Sequence, residues 1–252
     1  MPDVLISGPT WSNNILFMLS PGGAPPPPTP VAPIVLISQT VDTFVHAIVT
    51  GSAMSGILGG PWNVAGAYSF IAASVPYPEG FSVDGVTPGI ASGSFNAVLA
   101  STTSSWAGAC VMKFHNIRTG VGAMTSVGSG RGDGGFWIYN RLDSQADFQG
   151  GGATITTPGL PGDGQIAVIM FAMMPGAGYS RINKAALQVG GRPTSVTTLF
   201  PPAMGTTPNG ANDAAMGVYY EWYAEAITGS WSPTIFDSIY NRVSSSLSGA
   251  IP

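Results

Sequence analysis

Short runs of β-branched and aromatic residues, separated by clusters of Gly, Pro, Asn and Ser, fill this chain from residue 34 onward. Runs and clusters of this kind are typical of β-strands joined by tight turns. The pattern predicts strands at residues 34–38, 43–49, 67–73, 94–100, 106–117, 135–141, 145–150, 154–157, 164–173, 180–189, 194–198 and 214–226. About a dozen short strands favour one large β-sandwich or jelly roll.

The hydrophobic pattern within two of these strands indicates their position in a sheet. Residues 136–140 alternate, so their odd and even positions face opposite sides of a sheet. Residues 166–172 are apolar without alternation, which predicts a central strand that is buried on both faces.

One segment, residues 232–247, has helical instead of strand periodicity. Its apolar residues recur at helical spacing, and they are Ile235, Phe236, Ile239, Tyr240, Val243 and Leu247. Ser232 is a good N-cap residue, and Pro233 suits the first helical position. The segment is predicted to form a single amphipathic helix at the C-terminal end of the sandwich.

The composition excludes several classes of protein. With 35 Gly and 22 Pro in 252 residues, a long helical or coiled-coil protein is excluded. Charged residues make up 8% of the chain and the formal net charge is −4, so there is no basic stripe for nucleic acid. Because a charge-poor surface repels its own copies weakly, we expect a homo-oligomer or a multicopy assembly.

The apolar stretches and the lone cysteine narrow the choice further. Each stretch is shorter than the roughly 18–20 residues that a membrane-spanning helix needs, so no span is expected. The start at Met1 lacks a basic region before its apolar stretch, so a cleaved secretory signal is not expected either. Cys110, the only cysteine, allows no intrachain disulfide.

The N-terminal part is predicted to be organised separately from the sandwich. Consecutive prolines at residues 25–28 favour an extended polyproline II spacer. We therefore divide the chain into an attachment arm at 1–20, a Pro-rich linker at 21–33 and a sandwich domain at 34–252. The apolar core of the arm, which would dock to a partner, is Ile15, Leu16, Phe17, Met18 and Leu19. The alternative is that the arm is a first strand of the same sandwich.

The order of these features resembles the concanavalin A-like lectin/glucanase jelly rolls, in particular their laminin G-like modules. The segments that carry the resemblance lie within residues 94–247, and they are 94–99, 110–114, 134–140, 147–148, 164–171, 179–191 and 214–226 with the helix that follows. The resemblance implies a concanavalin A-like sandwich. Members of this group are sugar-binding or adhesive modules, some are glycan hydrolases, and many occur on the tails and capsids of bacteriophages.

The carboxylates lack the spacing of the hydrolases in this group, which set Glu-x-Asp-x-x-Glu on one strand. Glu221 and Glu225 are the nearest pair, with Tyr223 where the family pattern has Asp. Four residues along a strand separate them by about 13 Å, beyond the roughly 5 Å of a retaining pair and the usual inverting range. His46 and His115 lie in no catalytic or metal-binding spacing. No catalytic residue is assigned.

Aromatic residues near polar ones are the stronger indication of binding, because sugar rings stack on Trp and Tyr while their hydroxyls pair with Asn and Asp. The predicted carbohydrate-binding residues are Trp137, Tyr139, Asn140, Asp143, Trp62 and Trp106. No cofactor is predicted. Calcium stays open, because Asp and Asn residues cluster in the loops, although none forms a recognisable calcium loop. Residues 131–133 spell Arg-Gly-Asp in a Gly-rich turn, which leaves adhesion open.

These observations together predict a non-enzymatic structural or adhesion protein on the surface of a bacteriophage particle. Its arm would dock to other capsid or tail proteins, its sandwich would bind host-surface carbohydrate, and its location would be the virion. Two alternatives remain: a glycan-cleaving hydrolase of the concanavalin A-like group, and a purely structural capsid or tail subunit without a ligand.

Overall fold

The computed structural model describes residues 40, 42–50, 53–58, 62–65, 69–74, 76–83, 90–92, 99, 103–114, 123–127, 136–140, 144–150, 153–192, 202–205, 217–247 and 251. Within them, two antiparallel sheets and one helix, α1 (Thr234–Ser246), have defined bounds. Sheet A contains β1 (Thr43–Thr50), β2 (Ala53–Leu58), β4 (Ser69–Ile71), β5 (Gly80–Val83), β7 (Trp106–Phe114), β12 (Ile166–Met174), β13 (Ala177–Ile182), β14 (Gln188–Gly191) and β16 (Gly217–Ala226). Sheet B contains β3 (Asn63–Ala65), β6 (Ile90–Ser92), β8 (Ala123–Val127), β9 (Phe136–Asn140), β10 (Gln145–Gly150), β11 (Ala153–Pro158) and β15 (Ala203–Met204).

The strand order shows that distant parts of the chain pair with one another. Sheet A runs β14-β13-β12-β7-β16-β1-β2, with β5 paired to the first residues of β16 and β4 paired to β5. Sheet B runs β11-β10-β9-β8-β15-β6-β3. The predicted all-β sandwich with a short C-terminal helix is therefore confirmed.

The main core lies between the two sheets and is rich in aromatic rings. Phe171 of β12 packs against Phe148 of β10, with ring centroids 6.2 Å apart. Trp222 of β16 crosses the core and donates its indole N–H to Thr125 Oγ1 of β8 at 2.9 Å. This hydrogen bond satisfies a buried polar group that would otherwise oppose folding.

The second core lies on the other face of sheet A, beneath α1. Alternate residues of β12 belong to different cores: Ile169 and Phe171 face sheet B, whereas Val168 and Met170 face the helix. The prediction that residues 166–172 are buried on both faces is thus confirmed. Gly108 of the neighbouring β7 has no room for a side chain, because a Cβ there would approach Tyr223 O and the Phe171 ring to 2.7 Å.

Helix α1 covers sheet A with the apolar side that the sequence predicts. Phe236, Ile239 and Val243 are fully buried against the sheet. The residue at the N-cap is Pro233 and not Ser232; it adopts helical angles, and no side-chain hydrogen bond caps the helix that begins at Thr234. Ser232 Oγ still accepts a weak hydrogen bond from the Thr234 N–H, at 3.4 Å.

Two predicted strands differ from the structure. Residues 180–189 form parts of two strands, β13 and β14, because the chain turns at Asn183, which has a positive φ of 49°. The Asn183 side chain holds the turn against β12, since its Oδ1 accepts from the Val168 N–H at 2.8 Å. Leu99, the described residue of the predicted strand 94–100, is helical and buried.

Several predictions concern residues outside the described part of the chain. These are the arm at 1–20 with its docking residues, the linker at 21–33, the strands at 34–38 and 194–198, and the Arg-Gly-Asp turn at 131–133. Among the residues that are described, no helix combines the length and hydrophobicity that crossing a bilayer would require.

Candidate functional site

The outer face of sheet B, which points away from the sandwich core, combines the predicted aromatic positions with polar side chains. Ile138 of β9 lies opposite Phe148 of β10, and both are buried between the sheets. We call a row of residues that lie opposite one another on neighbouring strands a rung. Because side chains alternate along a strand, the rungs on either side of Ile138 and Phe148 belong to the opposite face. One of these rungs pairs Tyr139 with Asp147, and the other pairs Trp137 with Gln149.

Strand β11 extends both rungs with threonines. Asp147 lies opposite Thr156, and Gln149 lies opposite Thr154. We call these six register positions, 137, 139, 147, 149, 154 and 156, the sheet B face. Each rung thus begins with an aromatic residue and continues with two residues that form hydrogen bonds.

Asp147 is the unusual member of the sheet B face. It is only 4% exposed, although carboxylates are almost never buried without partners. Thr156 Oγ1 donates a hydrogen bond to Asp147 Oδ1 at 2.7 Å. A buried, hydrogen-bonded carboxylate on the outer side of a sheet is a candidate functional group.

Hydrogen bonds also orient the second rung. Gln149 Nε2 donates to Thr154 Oγ1 at 3.4 Å, a long and correspondingly weak contact. Thr154 is exposed, whereas Gln149 and Thr156 are half-buried. The two rungs therefore present hydroxyl and amide groups, one exposed and others half-buried, beside a buried carboxylate.

The predicted carbohydrate-binding residues do not all lie on the sheet B face. Trp137 and Tyr139 occupy register positions on it, but Asn140 lies opposite Ala146, which is buried between the sheets. Asp143 lies outside the described residues. Trp62 and Trp106 are corrected: they are 6% and 0% exposed within the inter-sheet core, so they cannot offer a ring face to a sugar.

Sequence reasoning did not include Asp147, Gln149, Thr154 and Thr156 in the site. The alternation of the predicted strands 145–150 and 154–157 could have indicated them, since Ala146, Phe148 and Ile155 are the apolar residues between them. What the sequence lacks is the register that aligns β9, β10 and β11.

The carboxylates considered for hydrolysis lie on sheet A, on the face that α1 covers. Glu221 Oε1 is 2.8 Å from His46 Nε2, and both side chains are almost completely buried. A bulge in β16 at Tyr220 precedes Glu221. This buried pair joins β16 to β1, which is a structural role.

Glu225 has a separate set of partners at the edge of α1. Arg242 Nη1 donates to Glu225 Oε2 at 2.6 Å and also to the Tyr223 hydroxyl. Tyr223 contacts Thr43 Oγ1 at 2.6 Å. Burial raises the pKa of Tyr223 to about 12, so its hydroxyl stays protonated at neutral pH. Glu221 and Glu225 therefore belong to two separate, partnered groups and not to one open catalytic pair.

Metal binding and thiol reactivity are two further kinds of chemistry to consider in the described part of the chain. No group of three or more His, Cys, Asp or Glu residues there could hold a metal ion. Cys110 is buried, and the burial raises the pKa of its thiol, which opposes the formation of a reactive thiolate.

The fold is similar to those of several solved structures. A Trypanosoma rangeli sialidase in complex with sialic acid matches 84% of this chain and 34% of its own, with a TM-score of 0.58 and 13% identity. Domain 4 of an extracellular arabinanase from Geobacillus stearothermophilus, in complex with arabinotriose, matches 84% of this chain and 100% of its own, with a TM-score of 0.55 and 13% identity. The binding domain of botulinum neurotoxin serotype G matches 81% and 51%, with a TM-score of 0.54 and 10% identity.

At these identities the likeness shows the fold alone, and the chain spans about a third of the sialidase. No family model matches the sequence. No curated protein matches it either.

The predicted function needs correction. A non-enzymatic structural or adhesion protein of a bacteriophage particle is contradicted, because two of these three neighbours are named as glycan-acting enzymes and none of the three as a phage protein. The names of two neighbours fit the alternative drawn from the sequence, a glycan-cleaving hydrolase of the concanavalin A-like group, better than they fit the main prediction.

Proposed function

We propose that this chain is a carbohydrate-active domain that binds saccharides on the sheet B face. The observation that carries the proposal is Asp147, a buried carboxylate on the outer side of a sheet, held by Thr156 at 2.7 Å and flanked by further polar side chains. Carboxylates are almost never fully buried unless they are paired, so Asp147 marks a structured polar position on this face.

The chemistry of the sheet B face suits a sugar. Saccharides offer hydroxyl groups for hydrogen bonds and apolar ring faces for aromatic side chains. The two rungs supply hydrogen-bonding groups at Asp147, Gln149, Thr154 and Thr156. Trp137 and Tyr139, at the β9 end of the rungs, supply the aromatic positions.

The comparisons add support of a different kind. The arabinanase domain that binds arabinotriose is matched over its whole length, so the likeness concerns one complete domain and not a fragment of a larger one. We also propose that the sandwich belongs to the concanavalin A-like group.

A binding experiment with the full chain tests the proposal. Calorimetric titration against arabinotriose and a panel of neutral and acidic oligosaccharides should reveal at least one ligand. Trp137→Ala and Tyr139→Ala should raise its Kd by about tenfold or more. Val189→Ala is the matched control, because Val189 is 60% exposed on β14 of the other sheet. Equal affinity in all three variants would remove the sheet B face from the proposal.

Hydrolysis of a glycan is the second candidate, and the enzyme names of two structural neighbours favour it. Release of reducing ends from a polysaccharide panel would detect it. A hydrolase that works on the sheet B face should lose activity in Asp147→Asn and retain it in Glu221→Gln, because Glu221 is buried on the opposite side of the sandwich. The reverse result would place the chemistry on sheet A.

A further inference from the structure

We propose that sheet A carries a second saccharide site, formed by Tyr179 and Trp231 beside the start of α1. The inference goes beyond the proposed function, which concerns the sheet B face alone. It rests on a pair of stacked aromatic rings that stay partly open to solvent, on their polar atoms, and on the polar groups around them.

Strand β13 lies to the side of the helix. α1 packs mainly on β7 and β12. Along β13, Ala177, Tyr179 and Arg181 are half-buried, and the residues between them are buried. Tyr179 packs against the border of the second core, so its side chain lies on the outer face of sheet A. This part of the outer face therefore stays partly open.

Trp231, which lies in the connection between β16 and α1, stacks on Tyr179. The ring centroids are 4.3 Å apart and the ring planes differ by 24°. Phe236, which is fully buried on α1, meets Trp231 with centroids 4.9 Å apart and planes at 76°. Both rings of the stack are half-buried. The contact with Phe236 holds the stack in place before any ligand arrives, which lowers the entropic cost of binding.

The polar atoms of the two rings are open to a ligand. A buried indole N–H usually finds a partner, as that of Trp222 does in Thr125 Oγ1. In the described part of the chain, neither the Trp231 N–H nor the Tyr179 hydroxyl makes a hydrogen bond, and neither is among the buried unpaired atoms. The stack thus offers one donor and one hydroxyl that both donates and accepts.

Polar groups border the stack on two sides. Ser232 and Thr234, which follow Trp231 in the chain, have hydroxyl oxygens 2.9 Å apart. Arg181 lies two residues from Tyr179 on the same face of β13 and forms an ion pair with the exposed Asp237 at 2.7 Å. The aromatic surface is therefore small and enclosed by hydroxyl and charged groups.

A sugar ring fits this arrangement better than a protein partner does. A protein interface of standard size covers about 800 Å² on each partner, far more than two half-buried rings. A sugar ring stacks its apolar face on an aromatic side chain while its hydroxyls pair with polar atoms at the border. The Tyr179–Trp231 stack supplies both within the space of one or two sugar rings.

Nuclear magnetic resonance of the full, isotopically labelled chain tests the inference on the unaltered protein. The six tryptophans give separate indole N–H signals, and Trp231→Phe identifies the signal of Trp231 by removing it. The probes are arabinotriose, free sialic acid and the oligosaccharide panel of the calorimetric titration. With at least one probe, the Trp231 signal should shift and saturate. The signal of Trp222, which is buried and bonded to Thr125, should stay in place.

The outcomes separate this inference from the proposed function. A shift of the Trp137 signal without one of Trp231 would overturn the second site and leave the sheet B face standing. A shift of Trp231 alone would support the second site and count against the sheet B face. No shift of either signal would overturn both.

Two tyrosine variants test the stacking itself. Tyr179→Ala removes the ring on which the indole stacks, so the Kd read from the Trp231 signal should rise at least about tenfold. Tyr77→Ala is the matched control, because Tyr77 is also half-buried at the border of the second core but lies against Lys113. Its Kd should equal that of the unaltered protein. Equal Kd values in the two variants would remove the stack from the site.

Discussion

The outer faces of the two sheets differ in what covers them and in how they hold their polar groups. On sheet A, α1 buries an apolar surface, and the carboxylates Glu221 and Glu225 are each paired with a basic side chain. On sheet B, the described outer positions of β10 and β11 carry hydroxyls, amides and one carboxylate, Asp147, with Pro158 at the end of β11. Asp147, Glu221 and Glu225 are all buried, at 4%, 1% and 9% exposed, so the two faces differ in what surrounds their carboxylates and not in how exposed these are.

The difference between the faces originates in the strands themselves. In β12 both alternating sets of side chains are apolar, which requires a cover on each side. In β10 only one set is apolar, with Ala146 and Phe148 facing the core. The apolar side of α1 supplies the cover that sheet A needs.

The largest effect that would test this difference is a loss of folding stability at alkaline pH. Burial raises the pKa of Tyr220, Tyr223 and Tyr240 on the covered face above the ordinary value of 10.0. Their folded-state pKa exceeds the unfolded one, so their contribution to stability is complete below pH 10 and is lost as the pH rises toward about 12. The free energy of unfolding should fall by about 1.4 kcal/mol per group per pH unit in that window.

Denaturant unfolding at a series of alkaline pH values, followed with tyrosinate absorbance, measures this effect. In Tyr223→Phe the free energy of unfolding should fall less steeply with pH, by the contribution of one tyrosine, because the variant lacks one of the three phenols. Titration of all tyrosines near the ordinary pKa, without loss of stability, would show that the outer face of sheet A is open to solvent.

The next effect concerns the buried pair on sheet A. Glu221→Gln keeps the shape of the side chain but removes its charge beside His46, and we expect a loss of about 1–3 kcal/mol in the free energy of unfolding. Saccharide binding should not change. Asp237→Asn is the control, since this exposed ion pair with Arg181 contributes about 0–1 kcal/mol. An unaltered stability together with lost binding would reverse the roles that we give to the two sheets.

Much of the fold could be predicted from the sequence, because the strongest strands have local signals. Residues 43–49 and 145–150 were predicted nearly to their ends, and α1 was predicted from its apolar spacing. β2 (Ala53–Leu58) and β8 (Ala123–Val127) were missed, since their small and polar residues have weak strand preference. Both are strands because a neighbouring strand pairs with them.

The candidate site was less predictable, because it depends on register. Trp137 and Tyr139 could be named from residue type, but their rungs are defined only once β9 pairs with β10 and β10 with β11. Trp62 and Trp106 have the same residue type and are buried. A single sequence does not distinguish a tryptophan in the core from one on the surface, because both rest on the same local pattern.

The smallest effect compares two threonines on neighbouring rungs of β11. Thr156→Val removes the hydrogen bond to the buried Asp147 carboxylate, which should lower the free energy of unfolding by about 1 kcal/mol. Thr154→Val, at an exposed position with only a 3.4 Å contact, should change it by less than about 0.5 kcal/mol. Thermal denaturation of both variants measures the difference. Equal effects would mean that the position of Asp147 does not depend on Thr156. A larger effect at Thr156 would show that the Asp147 carboxylate is held in place by the neighbouring strand, which a binding face with a fixed arrangement of polar groups requires.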